Sequence, residues 1–557
     1  MKAIKLLCVL MALAMILGMG MLFVGCGETT NSGGGTNNNE NENENGDGWY
    51  EPLNFNGQNI RILTQFNDRR FAIIDDGPTR VDAMTRSISV DPNDDPQWRV
   101  NIFVNDRNNY VETNLGINIV PSNIDGMTNY VAPMFLTGIE DYDVFQMANF
   151  HNIGLLVHEN GAGHFLDLNL IAPVDFDDVS QGENFLRIDQ PWWDDDRYDK
   201  MTYNGRAFFV TGHLAQSWVA GMYVTFVNSN LWAENLNHVS ALTGGETDIY
   251  QIVRNGGWHL DFIMALSRSM YANLSGTDDI TLNDITGFAI HDPRFHVNMI
   301  PQALASAAGV HYVDVDQAGN WRLVLNDTAS PAHTFASVNY NLHHHSSAML
   351  LRSQDISAGG LPEHQGLEIL DVFTQGNTLM TIDMLQLMEA YLRDMEDPFY
   401  ILPLPMLNAE QFDNQGYLSF VHTTVALFAI PTSARPNARA ITATLELMAE
   451  RSYMHVTPAY LNYTLAGLIN PGAYTVTIEM INIARGGIDI CQAIIWPSQF
   501  SQGTAGPYQF FRNNGNVSAN GPANLNNTRI VRGWQVTVAD HERSINRVTS
   551  AEHFAPN

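Results

Sequence analysis

The chain has 557 residues, with 28 Lys and Arg against 59 Asp and Glu and a formal charge of −31. This balance excludes electrostatic attraction to nucleic acid or to anionic lipid surfaces. At 45% hydrophobic, 10% aromatic and 16% charged residues, the composition is that of a globular protein with apolar surface for two or three domains. Its three cysteines, Cys8, Cys26 and Cys491, leave one thiol in the body of the chain, which excludes a disulfide scaffold or a thiolate-rich metal site.

Lys2 and Lys5 precede an apolar run from Leu6 to Val24, and Gly25-Cys26 follows. Together they read as the cationic, apolar and small-residue parts of an export signal. No stop-transfer cations come after it, so a retained membrane span is the weaker reading. The segment Leu22-Phe23-Val24-Gly25-Cys26 resembles a bacterial lipobox, with Phe23 where Leu is usual. The resemblance implies that residues 1–25 are removed and that Cys26 is lipidated. From Thr29 to Gly48 there is no apolar side chain, so this stretch cannot offset its own chain entropy. Residues 26–54 are therefore expected to form a flexible tether with a reach of about 25 Å.

Beyond Trp49-Tyr50, short strands are predicted at Asn59 to Leu63, Gly116 to Val120 and Tyr142 to Met147, with an amphipathic stretch around Tyr130 to Leu136. Helices are predicted from Asp248 to Arg254, ended by Gly256, and from Leu260 to Met270; the two are expected to pack together. Val310 to Leu325 reads as a hairpin around Gln317-Ala318-Gly319-Asn320. Further helices are expected over Leu367 to Phe373, Met384 to Met395 and Ala438 to Met448. Strands are expected at Leu379 to Ile382, Ile401 to Pro405 and Val425 to Pro431. Strands alternating with helical patterns argue for α/β layers.

Enzyme signatures are absent. His158-Glu159 would need a second His where Ala162 stands, and Gly161-Ala162-Gly163 lacks its third glycine at Leu166. The run His343-His344-His345 splays its rings apart on either a strand or a helix. The loop opened by Asp314 and Asp316 has Leu325 where calcium needs a bidentate Glu. Asp194-Asp195-Asp196 could supply acid and base to a glycosidase, although neighbouring acids usually mark a solvated loop. Neither a cofactor nor a metal is expected.

Several stretches, taken in order, resemble the lipid-anchored solute-binding proteins of bacterial carbohydrate ABC importers, family 1-like and of the large Gram-positive type. They are Pro191-Trp192-Trp193-Asp194; Tyr223 to Asn228 with Leu231; and Tyr250, Val253, Gly256, Trp258 and Asp261. To these are added Ile401 to Pro405 with Gln411, Ala429-Ile430-Pro431, and Arg451-Ser452-Tyr453 with Val456, Pro458 and Tyr460. The matches run collinearly over residues 55 to 500 and fade from Ser501. Departures include His213 in place of an acid, Met406-Leu407 in place of Lys-Tyr, and His259 in place of a capping Thr, a change worth about 1 kcal/mol.

The resemblance implies a type II periplasmic-binding-protein fold: two α/β lobes joined by a three-crossing hinge, following a signal peptide and a disordered tether. Motif order assigns residues 55–208 plus 380–428 to lobe 1 and 209–379 plus 429–557 to lobe 2, with crossings near Phe208 to Thr211, Leu379 to Asp383 and Phe428 to Thr432. The implied function is not enzymatic. A monomer captures an oligosaccharide or similar solute in an interlobe cleft and delivers it to ABC permease transmembrane subunits. It touches the membrane only through its lipid anchor on the extracytoplasmic face, and it binds no nucleic acid. Rival readings are a secreted lipoprotein glycoside hydrolase and a surface sensor or adhesin. Sugars need flat aromatic faces and hydrogen-bonding side chains, and ligands sit at the carboxyl ends of strands in open α/β sheets. On that basis the candidate ligand-binding residues are Gln65, Phe66, Asn67, Asn149, Phe150, Trp218, Met384 and Trp496.

Overall fold

The computed structural model describes residues 48–64, 96–124, 131, 133–134, 137, 141–148, 161–202, 205–276, 284–290, 300–311, 313–315, 321–323, 331, 334–335, 350–352, 368–386, 388, 392, 395–422, 425–465, 469 and 472–488. The export signal, Cys26 and the tether as far as residue 47 lie outside these residues, as does the hairpin turn at 317–320.

Two β-sheets organise the body. The first has the order β11-β3-β1-β2, formed by β1 (Gln58–Thr64), β2 (Ile117–Asn123), β3 (Val144–Ala148) and β11 (Ala426–Ala429). β1 runs parallel to both β2 and β3, and β11 is antiparallel to β3. β3 and β11 are buried along their whole length, as is β1 from Ile62 to Thr64, whereas the edge strand β2 leaves Asn118 and Val120 exposed. Ile60, Ile62, Val144 and Phe428 enter one core, while Leu63, Phe145, Met147 and Leu427 enter another, the period-2 alternation of a strand.

The second sheet has the order β10-β4-β9-β5-β8, formed by β4 (Tyr223–Asn228), β5 (Thr286–Ile290), β8 (Leu350–Arg352), β9 (Thr378–Met384) and β10 (Phe399–Leu402). β4 and β9 are buried along their whole length. The predicted hairpin is present as β6 (Val313–Val315) paired antiparallel with β7 (Trp321–Leu323).

The helices that position the site are α1 (Pro96–Leu115), α2 (Asp195–Lys200), α3 (Ser217–Ala220), α4 (Ile249–Arg254), α5 (Leu260–Ser269), α6 (Glu368–Thr374), α7 (Ala438–Arg451), α8 (Thr457–Leu465) and α9 (Tyr474–Gly486). Asp248 caps α4 by accepting from Tyr250 N and Gln251 N. Past its end, Gly256 adopts φ +74°, where a Cβ would lie 2.4 Å from Phe412. α5 packs against the helix Leu236–Thr243. Its cap is retained despite the missing threonine, because His259 Nδ1 accepts from Phe262 N at 3.3 Å.

Strand pairing redraws the expected division of the chain. β9 and β10, expected in lobe 1, are hydrogen-bonded in the second sheet, whereas α7, expected in lobe 2, packs on α1 and β1 of the first. Leu379 to Asp383 is a central strand, not a crossing. An apolar strand reads alike whichever sheet receives it, so periodicity alone could not decide the matter. The chain leaves the first sheet after Val210, returns at Ala426, and leaves again between α8, packed on α1, and α9, packed on β10.

The first half is built around a buried ion pair. α7 is buried over most of its length, and its Glu446 is fully enclosed. The Glu446 carboxylate accepts from Arg187 Nε at 2.7 Å, Trp193 Nε1 at 2.7 Å and Trp192 Nε1 at 3.1 Å. Glu450, one turn on, accepts from Arg187 Nη2 at 2.9 Å and Trp49 Nε1 at 3.0 Å. The guanidinium lies 4.6 Å from the centre of the Phe176 ring and 5.0 Å from that of Trp192. Burial pushes the Glu446 carboxyl up, and Arg187 opposes that shift. Removing one partner strands the other charge in a dry interior. Glu446→Ala is therefore expected to cost about 3–5 kcal/mol in urea unfolding, against about 1 kcal/mol for Trp193→Phe, which removes one hydrogen bond.

Candidate functional site

The link between the sheets is made of chain segments lying side by side. Trp193 and Gly212 form an antiparallel bridge, as do Val210 and Phe428, and Met222 and Val421. Gly212 has φ +154°, and a Cβ there would sit 2.2 Å from Trp192 O, so the close approach requires glycine. Thr211 Oγ1 donates to Ala426 O at 2.6 Å, and Ala426 N donates to Ser217 Oγ at 3.0 Å.

Two of the predicted ligand residues meet at this link. Trp218, in the buried turn α3, is 6% exposed, and Met384, at the end of β9, is also 6% exposed. The segments carrying them are joined by Leu385 N to Met222 O at 2.8 Å and Gln386 N to Ala220 O at 2.9 Å. Gln386 Nε2 also reaches Met384 Sδ at 3.5 Å. Both residues belong to the larger apolar core, so packing is part of their role.

Polar groups not among the predicted ligand-binding residues lie around them. The Arg197 guanidinium lies over the Trp218 ring at 5.2 Å, and its Nε is 3.3 Å from Asp194 Oδ2. Asp194 also caps α2, accepting from Arg197 N. Asp383 Oδ1 accepts from Met384 N at 2.7 Å. On the neighbouring strand Tyr223 stacks on His422, with ring centres 6.3 Å apart and a 26° tilt. An indole face, a guanidinium, carboxylates and an imidazole thus share one region; this chemistry can hold a polyhydroxylated molecule. The sequence signal for Arg197 is its place three residues after the capping Asp194. His422 and Asp383 had no local signal.

Gln65, Phe66, Asn67, Asn149, Phe150 and Trp496 lie outside the described residues, as does Cys26. The strands that lead to five of them, β1 and β3, are parallel neighbours with Thr64 opposite Gln146. Among the described residues no group of three or more His, Cys, Asp or Glu is arranged to hold a metal ion. No helix among them is long and apolar enough to cross a membrane.

No family model and no curated protein sequence matches the chain. Among solved structures it is similar to the apo form of RafE from Streptococcus pneumoniae, at 13% identity over 89% of this chain and 98% of that one, with a TM-score of 0.48. It is also similar to an ABC substrate-binding protein from Listeria monocytogenes in complex with cycloalternan, at 10% identity over 88% and 98%, with a TM-score of 0.45. A family 1 extracellular solute-binding protein from Bifidobacterium longum subsp. infantis is similar at 13% identity over 88% and 99%, with a TM-score of 0.45.

His213 follows Gly212 and is 5% exposed, its Nδ1 2.9 Å from Thr457 Oγ1. Burial first, and then the charge of Arg485, holds its pKa well below the usual imidazole value. The native state therefore keeps it neutral, whereas the unfolded chain protonates it near pH 6.5. Its contribution to stability is present above that pH and is lost as pH falls, by up to about 1.4 kcal/mol per pH unit. His213→Gln is expected to lose less stability than the parent between pH 7 and pH 5.5, read as the difference between their urea midpoints.

Proposed function

We propose that this chain is a membrane-tethered, extracytoplasmic binding protein. It captures an oligosaccharide or related polyhydroxylated solute between its two α/β halves and hands it to an ABC permease without changing it. One observation carries the proposal: Trp218, Arg197, Asp194, Met384, Asp383 and His422 converge where the chain passes between the sheets. A sugar offers apolar C–H faces to an indole and hydroxyls to carboxylate, guanidinium and imidazole groups. Ligand sites also favour the meeting place of two α/β layers. The lipobox-like Leu22 to Cys26 and the apolar-free tract behind it support attachment at the cell surface.

Binding to the native state alone raises stability by mass action, by about 2.7 kcal/mol at a hundredfold excess of ligand over Kd. Titrating the purified protein with a panel of oligosaccharides should raise its melting temperature and change its tryptophan fluorescence. Hydrolysis of the sugars, with no stabilisation by any of them, would overturn the reading in favour of a glycoside hydrolase. Cys26→Ser is expected to move the protein from the membrane fraction to the culture medium; continued membrane retention would remove the lipid anchor from the proposal.

A further inference from the structure

A buried indole carries an N–H that needs an acceptor, because tryptophan donates only. Trp49 donates to Glu450 at 3.0 Å, Trp192 and Trp193 to Glu446 at 3.1 and 2.7 Å, Trp232 to Thr247 O at 3.2 Å and Trp258 to Pro403 O at 3.1 Å. Trp218 departs from them. It is buried as they are, at 6% exposure, yet its Nε1–H makes no hydrogen bond among the described residues. A donor without an acceptor in a protein interior costs about 1–3 kcal/mol. Such a group in a folded chain needs an explanation of its own.

The surroundings of the ring hold it in place without meeting that need. Trp218 sits in α3, a single turn of four residues, so its orientation depends on what the turn is tied to. Ser217 Oγ accepts from Ala426 N at 3.0 Å, and Ala220 O accepts from Gln386 N at 2.9 Å. The turn is therefore fixed both to the returning chain and to the end of β9. The Arg197 guanidinium covers one face of the indole at 5.2 Å, and its Nε is 3.3 Å from Asp194 Oδ2. A cation takes the face of an indole, where the ring is electron-rich, and not the N–H edge. A solute is left the opposite face and that edge.

We propose that the Trp218 N–H is itself a solute ligand, donating to a hydroxyl, ring or glycosidic oxygen of the bound saccharide. The inference rests on the binding function proposed above and adds a requirement to it: an acceptor oxygen at one fixed point of the solute. Stacking alone tolerates any flat apolar face, whereas a donor at the ring edge rejects a molecule that brings no lone pair to it. Arg197 acts here as a positioning residue. By occupying one face, with Asp194 behind it, the guanidinium fixes the direction in which the N–H points.

The test is nuclear magnetic resonance of the purified protein labelled in the indole nitrogen of tryptophan, with the Trp218 signal identified by its loss in Trp218→Phe. Without sugar, the Trp218 N–H should exchange with solvent about tenfold faster than those of Trp49, Trp193 and Trp258, whose acceptors are in place. Maltotriose, cellotriose, xylotriose, mannotriose and galactotriose are then added in turn, with melting temperature reporting which of them binds. A sugar that binds should move the Trp218 signal downfield and slow its exchange to the range of the other three, whose own signals stay in place. Trp218→Phe keeps an aromatic ring and drops the donor, and should weaken binding about tenfold, the scale of one net hydrogen bond. If that variant fails to melt cooperatively, Trp218→Tyr supplies the assignment and the spectra of the parent decide. A Trp218 N–H already as protected as the others before sugar is added, or one unmoved by a sugar that binds, overturns this inference and leaves the binding function standing. Failure of every sugar to bind overturns both.

Discussion

The architecture depends on two chain segments being held side by side between the sheets. Val210 pairs with Phe428, Thr211 is bonded to Ala426, and Met222 pairs with Val421, so the stretch that builds the second sheet leaves and re-enters the first at one place. Loop closure over some two hundred residues costs entropy that grows only slowly with length. Once that cost is met, each half can complete its own layers. The same pairing places α3, β9 and the Tyr223–His422 stack at the junction, which is why the candidate site lies there and not on either sheet alone.

The network around Glu446 is a different kind of constraint. Two indole N–H donors and a guanidinium converge on a carboxylate in a buried core, an arrangement whose desolvation cost rivals its attraction. Its value is as a register: Trp192 and Trp193 reach Glu446 only when the segment before Gly212 is correctly threaded. A hydrophobic substitute of similar volume could pack as well without fixing which residue sits where.

Much of this was legible in the sequence wherever the physics is local. The helix from Asp248 to Arg254 was legible from its period, and the structure shows Asp248 and Asn228 holding helix starts by satisfying amides two and three residues on. The block at Ile401 to Pro405 and the Gly256-x-Trp258 signature both read as motifs, and in space they meet: Trp258 Nε1 donates to Pro403 O, and Met406 exchanges backbone hydrogen bonds with Trp258 and Leu260. What escaped is long-range. Which sheet receives β9 depends on partners more than a hundred residues away, and the role of Glu446 depends on an arginine 259 residues earlier. His259 is an intermediate case, since an imidazole can cap a helix only while it is neutral. Trp218 was placed by its position beyond the first crossing, whereas Met384 was placed beyond a crossing that is instead the central strand β9, and Arg197 and His422 owe their place to tertiary contacts.

Trp49 and Tyr50 give the fold a mechanical asymmetry. The indole is bonded to Glu450 and packs on Phe185, and the Tyr50 hydroxyl meets that of Tyr110, whose ring lies under Arg451. Tension drawn through the preceding chain is therefore absorbed by the end of α7 and by α1 before it reaches β1. A pull arriving at Trp49 is thus taken up first by the half built on the first sheet.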